Sequence, residues 1–596
     1  MIRVVDYIVK RLKEQGIDHV FFVPGVGCMY LTDALAKDKE ITAVSVHHEQ
    51  AAAMAALAYA QQKEGLGACF LTTGCGGTNA ITGVLHAWQD GIPCIIISGQ
   101  VKQEDSIDGC GADVRQVGRQ EADVYPMIKG ITKYASVVRN ASQIGAEMDK
   151  AIYHSVNGRQ GPSWLILPLD VQAGMVDEDS LDSWRPETKP EDTVDRDAEE
   201  ISEWIRSVSR PLLLVGSGIR AAGAVGILQS FLDKTGMPVV CARTGVDLID
   251  GDRAYAIGVT GTLGVNRAAN FAVANCDLLL VVGHRMSRDT VGDANKYARE
   301  ARICMIDIDP EEMNKNTIRV DKKICADAGS FLHKLSERVS SDDIDKNWKD
   351  KCMHWKCVFP KKDALCVSEE KSVPDLYTFL DALSKVMPEK TTLLSDAGSV
   401  WQLVPSVVGY DGMTQRSIHA YAQGEMGFSI PGGIGAAYAN PDGVTVAITG
   451  DGSAMMNIQE LATIHHRSIP VKIIVINNKG YATIKTTQKD AFRRTIGTGL
   501  EDGLGMPEYS CLAEAFGICY MSIDTTDHLE ESIREVLDTE GPVLCEVFCE
   551  DRTRTLMTSF AMTKERRMVM RPIEDLSPFL DRELFLSEMI IDPIDQ

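Results

Sequence analysis

The sequence predicts an α/β protein built from three consecutive doubly wound parallel-sheet domains and a C-terminal tail. One observation is that short, wholly apolar runs alternate with helical stretches along most of the 596 residues. Such runs are typical of strands buried in a parallel sheet with helices on both faces. A second observation is that polar, acidic stretches interrupt this alternation twice, which divides the chain into segments of ordinary domain size.

The first domain is expected at residues 1–175, with strands in HVFFVPG, ITAVSV, ACFLTTG, PCIIISGQ and SWLILPLDVQ. An acidic stretch reads as a linker to a central domain at 195–340, whose strands are PLLLVGSG, MPVVCA, CDLLLVVG and ARICMIDID. The following SSDDIDKNWKDKCMHWKC is expected to be an irregular connection. A third domain at 370–552 contains TTLLSDAG, GVTVAITGDG, VKIIVINN and GPVLCEVF, and the tail at 553–596 is expected to fold over the body.

Composition excludes several classes of function. The formal net charge of −23 disfavours general binding of nucleic acid or of an anionic membrane. We find no apolar run long enough to span a membrane. The N-terminal stretch has the pattern of an amphipathic helix and lacks the apolar core of a signal peptide. These features together predict a cytoplasmic protein with small-molecule partners, no nucleic acid and no membrane.

The strongest chemical signal lies in the third domain, where two apolar strands each run into polar residues. GVTVAIT is followed by Gly450, Asp451, Gly452 and Ser453, and VKIIVI is followed by an Asn-Asn-Lys-Gly turn that contains Asn478. In open parallel sheets, ligands bind at this edge. The helix after Ser453 offers free N–H groups to an anion, and carboxylate and amide oxygens suit Mg²⁺. A turn and a helix cap without any connection would be the alternative interpretation.

This arrangement resembles the thiamine diphosphate motif of the acetohydroxyacid synthase and pyruvate oxidase superfamily. The resemblance implies a pyrimidine-binding domain, a central domain and a diphosphate-binding domain, in that order. It also implies thiamine diphosphate and Mg²⁺ as cofactors, with the metal held by Asp451, Asn478 and the carbonyl of Gly480.

Glu49 is the candidate acid in the first domain. It stands in His-Glu-Gln, before a helix rich in small residues, AAAMAALAYA. By itself it could be a carboxylate that favours a helix N-terminus. The motif is similar to the family's glutamate motif, which implies that Glu49 hydrogen-bonds the pyrimidine ring of the cofactor. In that family the glutamate comes from a neighbouring subunit, which implies a homodimer or homotetramer.

Other segments carry the same resemblance. LTTGCGGTN, with Gly74, resembles the family's TSGPGATN loop, and RQE, with Gln120, resembles a segment that reaches the reacting centre. QGEMG resembles GLGTMG and implies that Met426 lies beneath the bent cofactor. SDAGS implies diphosphate contacts at Asp396 and Gly398.

The central domain corresponds to the flavin-binding domain of some members. A short Gly-Ser-Gly ends at Gly218, and Asp307 and Asp309 end another strand, where acids can accept from ribose hydroxyls. Other members keep this fold without flavin, so FAD stays open.

The predicted function is decarboxylation of a 2-oxo acid, with pyruvate as the expected donor, followed by carboligation to a second carbonyl compound. KGYATIKTTQ lacks a tryptophan expected in acetolactate synthases. The tail resembles those of thiamine-dependent proteins from bacterial surface-polysaccharide loci. A keto-sugar acceptor is therefore one alternative. A flavin-dependent pyruvate oxidase and a catalytically silent relative are the others.

Overall fold

The computed structural model of the protein describes residues 1–186, 193–362, 365–366, 372–549, 557–562 and 567–594. Three six-stranded parallel sheets account for its architecture, which confirms the predicted α/β class with three consecutive doubly wound domains. No helix in the described part of the chain combines the length and apolarity that crossing a membrane requires.

The N-terminal sheet has the order β3-β2-β4-β5-β7-β6, and the short β1 and β8 pair antiparallel beside it. Its strands are β1 (Ile2–Arg3), β2 (His19–Phe22), β3 (Thr42–Ser45), β4 (Gly67–Leu71), β5 (Cys94–Gln100), β6 (Tyr134–Val137), β7 (Pro162–Pro168) and β8 (Met175–Val176). Its helices are α1 (Val4–Glu14), α2 (Met29–Lys37), α3 (Glu49–Lys63), α4 (Cys75–Asp90), α5 (Ile107–Cys110), α6 (Tyr125–Ile128), α7 (Ile144–Val156) and α8 (Leu169–Gln172).

The central sheet has the order β11-β10-β9-β12-β13-β14, which is the classic order of dinucleotide-binding sheets. Its strands are β9 (Pro211–Val215), β10 (Val239–Cys241), β11 (Ala256–Val259), β12 (Leu278–Val282), β13 (Arg302–Asp307) and β14 (Lys322–Cys325). Its helices are α9 (Val194–Arg206), α10 (Gly218–Ala221), α11 (Val225–Thr235), α12 (Arg267–Asn275), α13 (Arg288–Val291), α14 (Pro310–Asn314) and α15 (Ala328–Ser336).

The region after the central domain corrects one expectation, because SSDDIDKNWKDKCMHWKC is not irregular. It contains a helix, α16 (Lys346–Val358). Trp348, Cys352 and Trp355 recur at helical spacing and are buried, in the same apolar cluster as residues of α12. The many charged residues between them obscured this period.

The third sheet, β16-β15-β17-β18-β20-β19, repeats the strand order of the N-terminal sheet. Its strands are β15 (Thr392–Ser395), β16 (Arg416–His419), β17 (Thr445–Gly450), β18 (Val471–Asn477), β19 (Cys519–Ile523) and β20 (Val543–Phe548). Its helices are α17 (Leu376–Val386), α18 (Ser399–Val407), α19 (Ser429–Ala439), α20 (Asp451–Ala454), α21 (Glu460–His466), α22 (Ala482–Phe492), α23 (Tyr509–Phe516) and α24 (Leu529–Asp538).

The described part of the tail is ordered secondary structure that packs on the central domain. Strands β21 (Phe560–Met562) and β22 (Met568–Met570) form an antiparallel pair, and α25 (Arg582–Glu588) follows. Buried Arg267 and Asn270 of α12 donate hydrogen bonds to tail carbonyls. The tail therefore folds over the body, as expected, and adds elements that its sequence pattern did not predict.

The N-terminal and third domains share one hydrophobic core through the contact of α3 with α19. Ten consecutive residues of α3, from Ala51 to Ala60, are buried. A Cβ placed on Gly435 of α19 would lie 1.9 Å from the carbonyl oxygen of Ala55. The small residues of both helices thus allow their backbones to come closer than larger side chains would permit.

We expect Gly435→Ala to lower the free energy of unfolding by about 1–3 kcal/mol, because the added methyl group would force the two helices apart. Denaturant unfolding monitored by circular dichroism measures this change. Gly226→Ala is the matched control: this exposed helical glycine has no atom within 4 Å of its Cβ position, so the substitution should stabilise by about 0.4–1 kcal/mol. Equal stability of the Gly435 variant and the wild type would contradict the close-packing argument.

Candidate functional site

Two adjacent strand ends of the third sheet meet at Asp451. β17 and β18 are parallel neighbours, and Asp451 follows β17 directly. Its carboxylate accepts hydrogen bonds from the backbone N–H of Gly452 at 2.7 Å and from that of Gly480, after β18, at 2.8 Å. Burial raises the pKa of Asp451 to about 6 against the opposing effect of these N–H groups. The result is a desolvated carboxylate at a sheet edge where a cation would offset the cost of burial.

The turn after β18 contains two asparagines, Asn477 and Asn478, whose surroundings differ. The amide of Asn477 donates to Glu546 at 2.6 Å and accepts from the backbone of Lys479. Asn478 is half-buried beside it. The side chain of Asn477 is therefore engaged by the chain itself, and the role of Asn478 as a metal ligand stays a prediction.

Two glycines hold these turns together. Gly480 has a φ of +127°, and a Cβ there would lie 2.1 Å from the carbonyl oxygen of Thr498. A Cβ on Gly452 would lie 2.2 Å from the ring of Tyr481. At Gly450, by contrast, a Cβ would meet no atom within 4 Å. The chain itself therefore requires the first two glycines, whereas space in front of Gly450 is open to a ligand.

Asp396 connects three elements at this edge. It is fully buried and accepts hydrogen bonds from the backbone N–H of Ser429 and from the hydroxyl groups of Thr449 and Ser453. Burial raises its pKa, and these donors oppose the rise. Because its oxygens are engaged by the chain, Asp396 holds the start of α19 against α20. Its predicted contact with a cofactor stays a prediction.

The segment that carries Met426 is fixed by charges from α4. Asp90 accepts hydrogen bonds from the backbone N–H groups of Tyr421 and Ala422 at 2.9 and 3.0 Å. Buried His86 lies 2.6 Å from Glu425 and 3.3 Å from Asp90, although the contacts are not aligned as hydrogen bonds. Burial lowers the pKa of His86, but the two carboxylates outweigh it and raise the pKa to about 10. A buried imidazolium therefore ties Met426 to the N-terminal domain.

A second group of predicted residues lies at the edge of the N-terminal sheet. Glu49 begins α3, is buried, and accepts a hydrogen bond from Asn79 of α4 at 2.9 Å. Gly74, immediately before α4, has a φ of +62°, and a Cβ there would lie 2.0 Å from the carbonyl oxygen of Gln120. Gln120 is exposed and itself has a φ of +62°. The structure thus brings Gln120 against the Gly74 turn. This turn begins α4, the helix whose Asn79 also positions Glu49.

The start of α3 is held by a residue that the sequence did not single out. Glu460 of the third domain is fully buried and accepts the backbone N–H of His47 at 3.0 Å. Thr463 donates to the same carboxylate at 2.8 Å. Burial raises the pKa of Glu460, with these donors opposing the rise. Glu460 therefore connects the strand end that precedes Glu49 to the third domain of the same chain, and no local sequence pattern marks it.

The predicted residues thus fall into two groups, which we call the Asp451 half-site and the Glu49 half-site. One surrounds Asp451, where Ser453 accepts a hydrogen bond from Gly427, next to Met426. The other surrounds Glu49. Among the described residues of one chain, the Glu49 side chain hydrogen-bonds Asn79 of its own N-terminal domain.

A third feature is a cleft of about 250 Å³ where the central domain faces the other two. It opens between β9 and β12, where the strand order reverses and dinucleotides commonly bind. Gly218, Gly283 and Asp307 line it, and burial raises the pKa of Asp307 to about 6. Asp309, at the end of the same strand, lies outside this lining and pairs with Arg159.

Comparisons with known proteins agree with this domain order. The family models for thiamine pyrophosphate enzymes match residues 2–124 as the N-terminal TPP binding domain, 198–335 as the central domain and 401–547 as the C-terminal TPP binding domain.

Similar proteins include acetolactate synthase isozyme 2 large subunit of Escherichia coli (strain K12), which is 32% identical over 92% of this chain and 95% of its own length. A probable acetolactate synthase large subunit of Methanocaldococcus jannaschii is 30% identical, with 91% of both chains covered. The chloroplastic acetolactate synthase of Arabidopsis thaliana is 28% identical over 92% of this chain and 82% of its own length.

The open space at Gly450 generates a test. We expect Gly450→Ala to keep the stability of the free protein but to weaken binding of thiamine diphosphate with Mg²⁺ by about tenfold or more, because the methyl group would occupy space left for the ligand. Gly452→Ala should lower both stability and affinity, because its methyl group collides with Tyr481. Titration calorimetry and thermal melting measure the two effects. Wild-type affinity in the Gly450 variant would show that the ligand does not lie there.

Proposed function

Because the chain belongs to the thiamine pyrophosphate (thiamine diphosphate) enzyme family, we propose that it is an acetolactate synthase-like carboligase. Its reaction would be decarboxylation of a 2-oxo acid, with pyruvate as the expected donor, and ligation of the remaining fragment to a second carbonyl compound. The observation that carries this proposal is the desolvated carboxylate of Asp451, which faces the turn of Asn478 and Gly480 across two strand ends.

The residues at this edge fit Mg²⁺ and a diphosphate group. We assign metal ligation to Asp451, Asn478 and the carbonyl of Gly480, and diphosphate contacts to Gly398, Gly450, Gly452 and Ser453. Asp396 holds this edge in place through its hydrogen bonds to Ser429 and Ser453. Carboxylate, amide and carbonyl oxygens are the ligands that Mg²⁺ prefers. Among the described residues, no group of three or more His, Cys, Asp or Glu side chains could hold a metal ion. A site that relies on amide, carbonyl and diphosphate oxygens is compatible with that finding.

When bound, thiamine diphosphate supplies the nucleophilic carbon and the electron-accepting ring that make loss of CO₂ from a 2-oxo acid possible. The chain contributes position and proton transfer. From a buried position that Asn79 orients, Glu49 would exchange a proton with a pyrimidine ring nitrogen. Met426 would support the cofactor, and Gln120 with the Gly74 turn would contact the substrate.

We propose that the complete site forms between two subunits, in a homodimer or a homotetramer. Among the described residues, the Glu49 side chain hydrogen-bonds Asn79 of its own domain. The exposed apolar residues Ile484, Phe492, Ile496 and Leu500 lie in and after α22, the helix that follows the turn of Asn478 and Gly480. Exposed apolar surface of this kind is typical of protein contacts. In this arrangement Glu49 of one subunit faces the Asp451 half-site of its partner.

Mixed subunits test this arrangement. We expect Glu49→Gln alone to lower turnover with pyruvate by about a hundredfold or more, because a positioned acid–base group is lost. Asp451→Asn alone should abolish the metal-dependent binding of thiamine diphosphate. Co-expressed in one cell, the two variants should recover about a quarter of wild-type activity, because half of random dimers are mixed and each mixed dimer contains one complete site. Failure of the mixture to exceed either variant would contradict the shared site.

Analysis of the reaction products tests which compound is the acceptor substrate. With ¹³C-labelled pyruvate as donor, mass spectrometry should detect a labelled carboligation product together with labelled CO₂. The panel of acceptors contains pyruvate itself, 2-oxobutyrate and keto-sugar nucleotides. A labelled keto-sugar adduct supports the polysaccharide alternative, whereas acetolactate alone from the full panel counts against it. Release of free aldehyde as the sole product would contradict carboligation.

The cleft of the central domain is the site at which we expect FAD when this cofactor is present. Its strand-switch position and half-buried Asp307 fit a dinucleotide. The visible absorbance of the purified protein decides between a flavin-containing form and one that keeps the fold without flavin. If the purified protein lacks this absorbance, the alternative of a flavin-dependent oxidase is also excluded.

A further inference from the structure

α22 is a basic helix on an acidic protein. From Asn478 to Gly499 the chain contains five basic residues and one acidic residue, Asp490, whereas the whole chain has a net charge of −23. Ala482 is the buried residue of this helix, and the side chains that follow it lie wholly or partly at the surface. The helix therefore presents positive charge to the solvent directly after the turn that contains Asn478 and Gly480.

Three of these cations, Lys485, Lys489 and Arg493, form what we call the basic stripe. They recur every four residues, so they lie on one side of α22. The helix begins at the edge proposed to hold the cofactor, where the hydroxyl oxygens of Thr483 and Ser399 lie 3.4 Å apart. Because an α-helix rises about 1.5 Å per residue, the stripe extends over about 12 Å from that region. Among the described residues, no carboxylate forms an ion pair with Lys489 or Arg493.

A second group of cations lies in the N-terminal domain, beside Gln120. Arg115 and Arg119 are exposed on the segment that leads to this glutamine. Buried Glu121 accepts a hydrogen bond from the backbone N–H of Val117 at 2.9 Å, which fixes the segment. In the part of the chain that the structure describes, neither arginine pairs with a carboxylate. In the proposed dimer the two half-sites face each other, so both groups of cations lie at the entrance to one site.

The number of these cations indicates a ligand with several negative charges. A 2-oxo acid carries one carboxylate, whereas the basic stripe and the two arginines supply five cations. The diphosphate of the cofactor is assigned to the strand ends and to Mg²⁺, which leaves the stripe for another anion. Lysine and arginine both bind phosphate, and the planar guanidinium of arginine can do so with two parallel hydrogen bonds. A second diphosphate group therefore fits this charge better than a single carboxylate.

We propose that the basic stripe of one subunit, together with Arg115 and Arg119 of the partner subunit, binds the diphosphate group of a nucleoside diphosphate at the entrance to the site. This inference rests on the proposed function, because the shared site brings the two groups of cations together. The nucleoside diphosphate is either part of the acceptor substrate, as in a keto-sugar nucleotide, or a free nucleotide that competes at the entrance. Both sources place the same diphosphate group on the same cations.

Titration calorimetry of the protein loaded with thiamine diphosphate and Mg²⁺ tests this site, with the diphosphates of uridine, adenosine, guanosine, cytidine and thymidine as probes. We expect at least one probe to bind, and Lys489→Gln combined with Arg493→Gln to raise its Kd about tenfold, because two charge-assisted contacts are lost. Arg115→Gln combined with Arg119→Gln should raise the Kd to a similar extent. Raising the salt concentration from about 0.05 M to about 0.5 M should weaken binding more in the wild type than in either variant, because salt screens exposed charges.

Lys346→Gln combined with Arg534→Gln is the matched control. It removes one exposed lysine of α16 and one exposed arginine of α24, outside both half-sites, and should leave the Kd of the nucleotide unchanged. The affinity for thiamine diphosphate should stay within about twofold of wild type when Lys489 and Arg493 are replaced, because the cofactor is held at the strand ends.

Three outcomes would overturn the proposal. Wild-type nucleotide affinity in either double variant would place the nucleotide elsewhere, for example in the cleft of the central domain. Absence of binding by every probe would show that the entrance takes no nucleoside diphosphate. An equal loss of affinity for thiamine diphosphate would show that the basic stripe serves the cofactor.

Product analysis distinguishes the two sources of the nucleotide. A labelled adduct with a keto-sugar nucleotide, whose KM rises about tenfold when Lys489 and Arg493 are replaced, shows that the acceptor carries the diphosphate. Inhibition of turnover with 2-oxo acids by the free nucleotide, without any adduct, shows a nucleotide that competes at the entrance. Single-turnover release of CO₂ from pyruvate is measured separately. Its absence in the wild type would refute the proposed function, whereas nucleotide binding tests the basic stripe independently.

Discussion

The rest of the structure depends on the close packing of α3 against α19. The approach of Gly435 to the carbonyl of Ala55 merges the cores of the N-terminal and third domains. α3 also begins with Glu49, so the contact that joins the domains sets the position of the proposed proton-transfer group. Glu460 completes this constraint, because it holds the backbone of His47 at the start of the same helix. A shift of α19 would therefore move both half-sites at once.

The buried charged residues divide into those that stabilise the fold and those that lie at the proposed site. His86 is compensated by two carboxylates and fixes the Met426 segment to the N-terminal domain. Asp396 is buried with its oxygens occupied by the chain's own donors. Asp451 is the contrasting case, because it is a desolvated carboxylate at an open sheet edge, where a bound cation would offset its charge.

Much of the fold could be predicted from the sequence because the spacing of apolar residues, which distinguishes strands from helices, is a local property. The polar residues of one half-site, including Asp451 and Asn478, could be located because parallel strands end at a common edge. The helix α16 was missed because charged residues masked a buried stripe that includes Trp348 and Trp355. The order in the tail was missed because it depends on hydrogen bonds from α12 to tail carbonyls, which no local pattern reveals.

The sequence by itself determined the α/β class and the succession of three sheets, and it predicts residue types at strand ends that would suit a diphosphate and a metal ion. These follow from hydrophobic period and from chemistry at strand ends, which act over a few residues. Only the tertiary structure decided that Glu460 holds the chain before Glu49, and that Arg243 packs against the rings of Trp401 and Tyr421 with no carboxylate partner among the described residues. Those facts depend on desolvation and on contacts between residues far apart in the chain, and a linear pattern contains neither.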